Sequence, residues 1–536
     1  MRAFLAVAGF AAILSCAAKA QFWSDRPDQA AAQPQAGSDA GEPPRAAPAS
    51  GRAGSLGGSG ATGPDSVGTQ PQRDTDFDRR TWRDTSFPLV LRLMAALPDR
   101  IESAAEHELA KNLLVSIGDA PPGDDGGDRL LSLRVRKLLA MGDIDDAAAL
   151  ARAAPGLTSD PALAHAEVEA ELLAGQIEAA CIDLRAFEAI LTDPLSANGL
   201  LLCRQRAGET IEGGVPALEV TSLGAFARIA GAPLGGDPAS ASPAQLVAMA
   251  REPNLAPEQR LQAAYGAGRL SAMTGESLAA VFGMIPNYEA IDDQAPGDPP
   301  AAVANGAEGG PPGSAAAAAA LYRAIAQEGD TGQKVSLAER GLLSPTGIAD
   351  KIGVAMAAGL RNLQPEPELG GLAARLAIIF YTLGDTEAAA PWADLAVESG
   401  GGAALWPYRM LLKSADPLGI ADWEQQSGLD RAHKARIMTI LSAFGVAAPP
   451  ASNVAVAGDR RPEPNFADLI AIDQAAANGH VGETTLRALA LLGPGGPSAA
   501  HPLALKRALA DLDAALLHDE ARALAFEAIT ATLRGY

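Results

Sequence analysis

From Arg129 onward, hydrophobic positions recur three or four residues apart. Leu130, Leu131, Val135, Leu138, Leu139 and Met141 share one helical face, and Arg134, Arg136 and Lys137 lie off it. Gly142 then supplies the left-handed conformation that ends a helix without a Cβ clash. Asp143, Asp145 and Asp146 follow, where the first turn of a new helix favours N–H acceptors and negative charge. Ile144, Ala147, Ala148, Leu150, Ala151 and Ala154 complete the hairpin with a second apolar run. The pattern recurs twice: "ALAHAEVEAELLA" ends at Gly175 and "ANGLLLCRQRA" at Gly208, so the turn glycines fall at 142, 175 and 208, a period of 33.

A period in the low thirties, with a glycine turn between amphipathic runs, marks stacked helical hairpins. The fold class it predicts is all-α, an α-solenoid of tetratricopeptide-like hairpins. One hairpin cannot bury its own apolar face, so stacking on neighbours completes the core.

The rest of the chain is read by the same rules. Residues 21–81 are low-complexity, rich in Ala, Gly, Pro, Gln and Ser, and are expected to be a disordered tether. A first helical-repeat domain is expected over 82–286. It opens with helices over 87–97 and 101–115 and includes a capping box at Ser242–Gln245 with Pro243 at the first helical position. Residues 287–314 collapse to Pro, Gly, Asp and Ala and read as a disordered loop or linker. A second helical-repeat segment spans 315–446, with a hairpin turn at Gly384-Asp385, and residues 406–412 and 422–444 continue the hairpin pattern. A linker covers 447–464, and 465–536 supplies four closing helices.

Composition supports helix over sheet. The 536 residues are 48% hydrophobic but only 4% aromatic, so the apolar content is mostly Ala and Leu. The net charge of −22 argues against nucleic acid and anionic lipid as partners, and fits a solvated exported protein. Residues 1–20 read as a signal peptide: Arg2, an apolar core from Phe4 to Ala18 too short to span a bilayer, and the small-x-small site Ala18-Lys19-Ala20. Two further readings stand beside cleavage after Ala20. Ile13-Leu14-Ser15-Cys16 resembles a lipoprotein box, with Cys16 lipidated, and an uncleaved anchor is the other. The Ala-rich, Arg-over-Lys style points to a high-GC Gram-negative genome, and so to the periplasm.

That compartment gives the cysteines meaning. Either processing route removes Cys16, leaving Cys181 and Cys203 in an oxidising environment. Cys181 lies on the second helix of one hairpin and Cys203 on the first helix of the next. Counted from the turn at Asp193-Pro194, they stand at nearly the same height on antiparallel helices, so a disulfide is expected. The alternative is two small buried thiols.

Catalytic patterns are wanting. None of the six histidines stands four residues from another, so no helical zinc pair forms. Glu106-His107-Glu108 reads as helix surface. No Gly-x-Ser-x-Gly elbow and no Ser-x-x-Lys occurs. The acidic loop with Asp124, Asp125 and Asp128 lacks the spacing of a calcium loop and reads as a solvated turn. Glu276-Ser277 invites comparison with soluble lytic transglycosylases, but "GESLAAVFGM" lacks their glycine-rich continuation, and Glu276 reads as a first-turn acid. Tyr265, Tyr288, Phe380, Tyr381, Trp392, Trp406 and Tyr408 read as core. No cofactor and no metal is expected.

"LRVRKLLAMGDIDDAAALARAAP", "AELLAGQIEAACIDLRAF", "LLLCRQRAGE" and "PEQRLQAAYGAGRLS" carry a resemblance to a family of exported, Ala/Leu-rich helical-repeat proteins of alphaproteobacteria, often given an unsupported "antifreeze" label. "LYRAIAQ" and "DEARALAFEAITATL" extend it weakly. The resemblance implies an exported solenoid and no catalytic residues. The resulting expectation is a non-enzymatic scaffold that binds protein partners in the cell envelope. The rivals are an accessory or degenerate enzyme-associated domain in cell-wall metabolism and a structural accessory of an envelope machine such as a flagellar motor.

Overall fold

The computed structural model describes residues 63–70, 77–124, 127, 129–154, 158–211, 224–284, 315–342, 351–447 and 459–534. Among these, regular structure is helical throughout, with no strand. Residues 1–20, read as a signal peptide and including Cys16, and the 287–314 segment with Tyr288 lie outside the described residues.

The repeat stretch forms α3 (Arg129–Met141), α4 (Ile144–Arg152), α5 (Pro161–Leu173), α6 (Ile177–Ala186) and α7 (Pro194–Arg206), after α1 (Phe87–Ala95) and α2 (Ala104–Val115). Gly142, Gly175 and Gly208 take φ values of 98°, 81° and 83°. After each glycine, the next N–H reaches a carbonyl five residues back: Asp143 to Leu138 at 2.9 Å, Gln176 to Glu171 at 2.8 Å, Glu209 to Arg204 at 3.0 Å. This Schellman closure satisfies carbonyls a helix end would otherwise leave free, and it reverses the chain into the next helix. Each helix from α3 to α6 packs on its successor, and α3 also packs on α5. Ala147, Ala148 and Ala151 are buried, as close helix approach requires.

Contacts do not remain between sequence neighbours, as they would in an open superhelix. The hairpin of α8 (Pro243–Arg251) and α9 (Pro257–Arg269) turns back so that α8 packs on α3 and α5. Its Ser242 capping box forms with both arms made. Next come α10 (Gly275–Met284), α11 (Ala315–Gln327), α12 (Thr331–Leu342) and α13 (Lys351–Ala357), then the hairpin α14 (Gly370–Thr382) and α15 (Thr386–Glu398). They lead to α16 (Trp406–Leu411), α17 (Ile420–Gln426) and α18 (Arg431–Ser442). The 422–444 pattern is thus two helices, because Gly428 at φ 65° breaks it. The chain ends in α19 (Phe466–Ala477), α20 (Val481–Leu492), the single turn α21 (Gly496–Ala499), α22 (Pro502–Ala514) and α23 (His518–Leu533), one element more than the four expected.

These last helices close onto the first. α20 packs on α1 and α2, and α23 packs on α2, α14, α18 and α22. Ser103 at the start of α2 donates its hydroxyl to Glu527 on α23 at 2.9 Å, and the N–H of Gly482 reaches the Thr81 carbonyl at 3.1 Å. α23 is therefore not a solvated end cap. Leu524, Ala525, Phe526, Ala528, Ile529, Thr530, Ala531 and Thr532 are all buried, covering every side of the helix. Tyr381 and Tyr408 pack on the Phe526 ring at 5.4 and 5.9 Å, while Thr530 bonds the Tyr408 hydroxyl at 2.8 Å. Of the aromatics read as core, Phe380, Tyr381, Trp392, Trp406 and Tyr408 are buried and Tyr265 is half-buried.

The tether boundary at 81 moves. Residues 63–70 and 77–81 pack on the helices, with Asp65, Ser66, Phe77 and Thr81 buried. Asp65 accepts the N–H groups of Leu130 and Leu131 at 3.1 and 2.6 Å, capping α3 from more than sixty residues away. Arg134, read as lying off the apolar face, is fully buried. It donates to the carbonyls of Leu114, Val67 and Ser116 at 2.6 to 2.7 Å, riveting this N-terminal strap to α2 and α3. Burial pushes Asp65 up to about 6 and Arg134 down to about 10.

Candidate functional site

Two features draw chemistry together, and both rest on α5. The first is a cleft of about 440 Å³ between α3, α5 and the start of α8. Leu139, Ala140, Ala162, Ala166, Leu173 and Ala244 make its walls apolar, and Arg136, His165, Glu169 and Ser242 place polar groups along it. His165 and Glu169 stand one turn apart on α5, 3.9 Å from nitrogen to oxygen. The His165 ring also lies tilted against Phe226, their centroids 5.9 Å apart. Burial against the wall holds the Glu169 carboxyl above its usual range, and His165 opposes that shift. The helical period explains the mixed lining: small residues at 162 and 166 let α3 and α5 come close, leaving a trough between them.

The second feature lies between α5 and α6. Glu167 and Glu171, also one turn apart, meet Asp183 of α6, with one oxygen from each carboxylate within 4.8 Å of the other two. Glu167 and Glu171 are buried and Asp183 is half-buried. Burial, then the charges of Asp183 and Glu167, raise the Glu171 carboxyl well above the ordinary carboxylate range, with Arg152 opposing. Sequence reading passed over this group, taking α5 as simply amphipathic. A signal was present: alternate glutamates at 167, 169 and 171 cannot all face away from the core on a helix that packs on α3, α4 and α6.

Beside this cluster the sulfurs of Cys181 and Cys203 are bonded, their Cα atoms 5.5 Å apart, tying α6 to α7. Cys203 is buried, and the bridge lies within the span bonds of this kind need.

The other singled-out residues fall elsewhere and do not converge. Glu276 sits in the first turn of α10. Glu106 and His107, read as helix surface, are buried. The His107 Nε2 lies 3.0 Å from Asp143, so Asp143 serves α2 rather than capping α4. Glu106 faces Glu527 of the returning α23, whereas His107 is turned to the neighbouring α3–α4 turn.

Comparison with protein-family models, with characterised proteins and with solved structures finds no match for this chain.

Proposed function

We propose that this protein is a non-enzymatic interaction scaffold of the periplasm, whose cleft between α3, α5 and α8 takes a segment of a partner protein. The observation carrying the proposal is the lining of that cleft: aliphatic walls with Arg136, His165 and Glu169 spaced along them, a surface suited to an amphipathic peptide. Export is supported by the signal-like first twenty residues and by the Cys181–Cys203 bond, which persists in an oxidising compartment. Membership of the exported helical-repeat family of alphaproteobacteria is part of the same proposal and rests on the quoted segments alone. Among the described residues no helix is long and apolar enough to cross a membrane.

The test is site-specific photo-crosslinking in envelope preparations, with the probe at position 136 or 169 and a control probe at exposed Asp519 on α23. The expected result is one recurring protein captured from the cleft positions and not from the control. Equal capture at all three positions, or turnover of cell-wall fragments by the pure protein, would overturn the reading.

A further inference from the structure

Carboxylates that fold into this protein's interior are, as a rule, met by a donor. Asp65 receives two N–H groups at the head of α3. Glu252 receives Arg228 at 3.0 Å, Glu483 receives Arg487 at 2.7 Å, and Asp511 receives Arg507 at 2.5 Å. Glu171 breaks the rule. It is 0% exposed, no described N–H or hydroxyl donates to either of its oxygens, and its hydrogen-bonding neighbour is another acid, Asp183. It points instead into the group made with Glu167 and Asp183. Arg152 is the cation whose field reaches it, yet that guanidinium is committed to the Ala148 carbonyl at 3.1 Å and the Gln176 side chain at 3.2 Å.

We propose that Glu167, Glu171 and Asp183 bind one hard divalent cation, such as calcium, pinning α5 to α6. Three features of the geometry carry this. All ligands are carboxylate oxygens, the donors that hard cations select. Two oxygens held on one calcium at about 2.4 Å each stand at most about 4.8 Å apart, and the three carboxylates already meet that limit. The half-buried Asp183 gives the ion a route in, while the buried glutamates give it a low-dielectric seat. The remaining positions would be taken by water.

Glu106, another buried acid without a donor among the described residues, shows what is lacking elsewhere. Its raised carboxyl faces Glu527, and among the described residues no third carboxylate joins them as a ligand group. A pair relieves its repulsion by keeping a proton. A triad adds the third oxygen that a hard cation can share.

The experiment uses the full-length protein stripped with chelator and titrated with CaCl₂ calorimetrically. Sodium chloride at about 150 mM suppresses diffuse attraction to an acidic chain. The expected result is one saturable equivalent and a rise in thermal midpoint. Glu171→Gln and, separately, Asp183→Asn should each weaken binding tenfold or more, while Glu178→Gln, an exposed acid on α6, leaves it unchanged. Mn²⁺ resonance on the unsubstituted protein reads the same site independently of whether any variant folds. No saturable equivalent of either ion would overturn the proposal and leave a shared proton as the explanation. A site that survives both substitutions would overturn it equally.

Discussion

The α3–α7 stack and the α19–α23 end are built from the same hairpins, yet they hold together differently. In the stack, each helix packs on the next one or two in sequence, and a glycine at φ 81° to 98° reverses the chain between α3 and α4, α5 and α6, and after α7. At the C-terminal end the same turn recurs: Gly479 takes φ 74°, and the N–H of His480 reaches the Ala475 carbonyl at 2.9 Å. There, however, α23 gathers contacts from α2, α14 and α18, three segments that are not its neighbours in the chain. The lesson is that a repeat's local grammar sets hairpins, while the partner of each apolar face is chosen by whatever surface the rest of the chain brings.

The largest test of this contrast is Phe526→Ala. The ring is 1% exposed and packs on Tyr381 and Tyr408, so its removal should cost roughly 3–5 kcal/mol. Because α23 joins distant segments, hydrogen exchange should quicken in α2, α14 and α23 together, whereas Leu172→Ala in the stack should loosen α4 to α6 alone. Loosening confined to α22 and α23 in the Phe526 variant would abolish the distinction.

Removing the Cys181–Cys203 bridge by paired serine substitution comes next. The bonded cysteines are 22 residues apart, and the chain-entropy account assigns a loop of that size about 3 kcal/mol. Urea unfolding of the oxidised and substituted proteins measures it. A difference below about 1 kcal/mol would show that the stack needs no staple.

At the closure, the sign of a pH effect discriminates. Burial and then Glu527 hold Glu106 well above its usual range. The folded chain keeps a proton that the unfolded chain sheds as pH climbs past roughly 4.3. Stability therefore falls with rising pH until the raised folded value is passed. Glu106→Gln should flatten that slope and gain roughly 1–3 kcal/mol at neutral pH. Glu171 adds a slope of the same sign, so the variant is compared with the parent at each pH. An unchanged difference across the range would show that Glu106 does not titrate with folding.

The smallest effect concerns a turn where the two regions differ in one residue. Leu516, at φ 69° and 64% exposed, occupies the position that glycine holds at 142, 175 and 208. The N–H of Leu517 makes the same closure to Leu512 at 3.0 Å. Leu516→Gly should stabilise by about 0.5–1 kcal/mol, since the left-handed region costs a branched side chain more than glycine loses in entropy. Gly175→Ala should destabilise by a similar amount, and thermal melts of both read the pair.

Much of this was legible beforehand. Helix content, the turns at 142, 175, 208 and 384, the Ser242 box and the facing of Cys181 and Cys203 follow from residues within one or two helices of each other. Period, capping chemistry and glycine conformations are local properties that survive without the rest of the chain. What tertiary structure alone decided was burial of polar groups. Arg134 and Glu106 look like surface residues in a lone hairpin, and they are interior where the 63–70 strap meets Arg134 and α23 brings Glu527 to Glu106. The carboxylate group on α5 and α6 belongs to both accounts. Helical spacing sets Glu167 beside Glu171, but only the hairpin's closure brings Asp183 to them, because a 3.6-residue period fixes which side chains share a face and not what that face will meet.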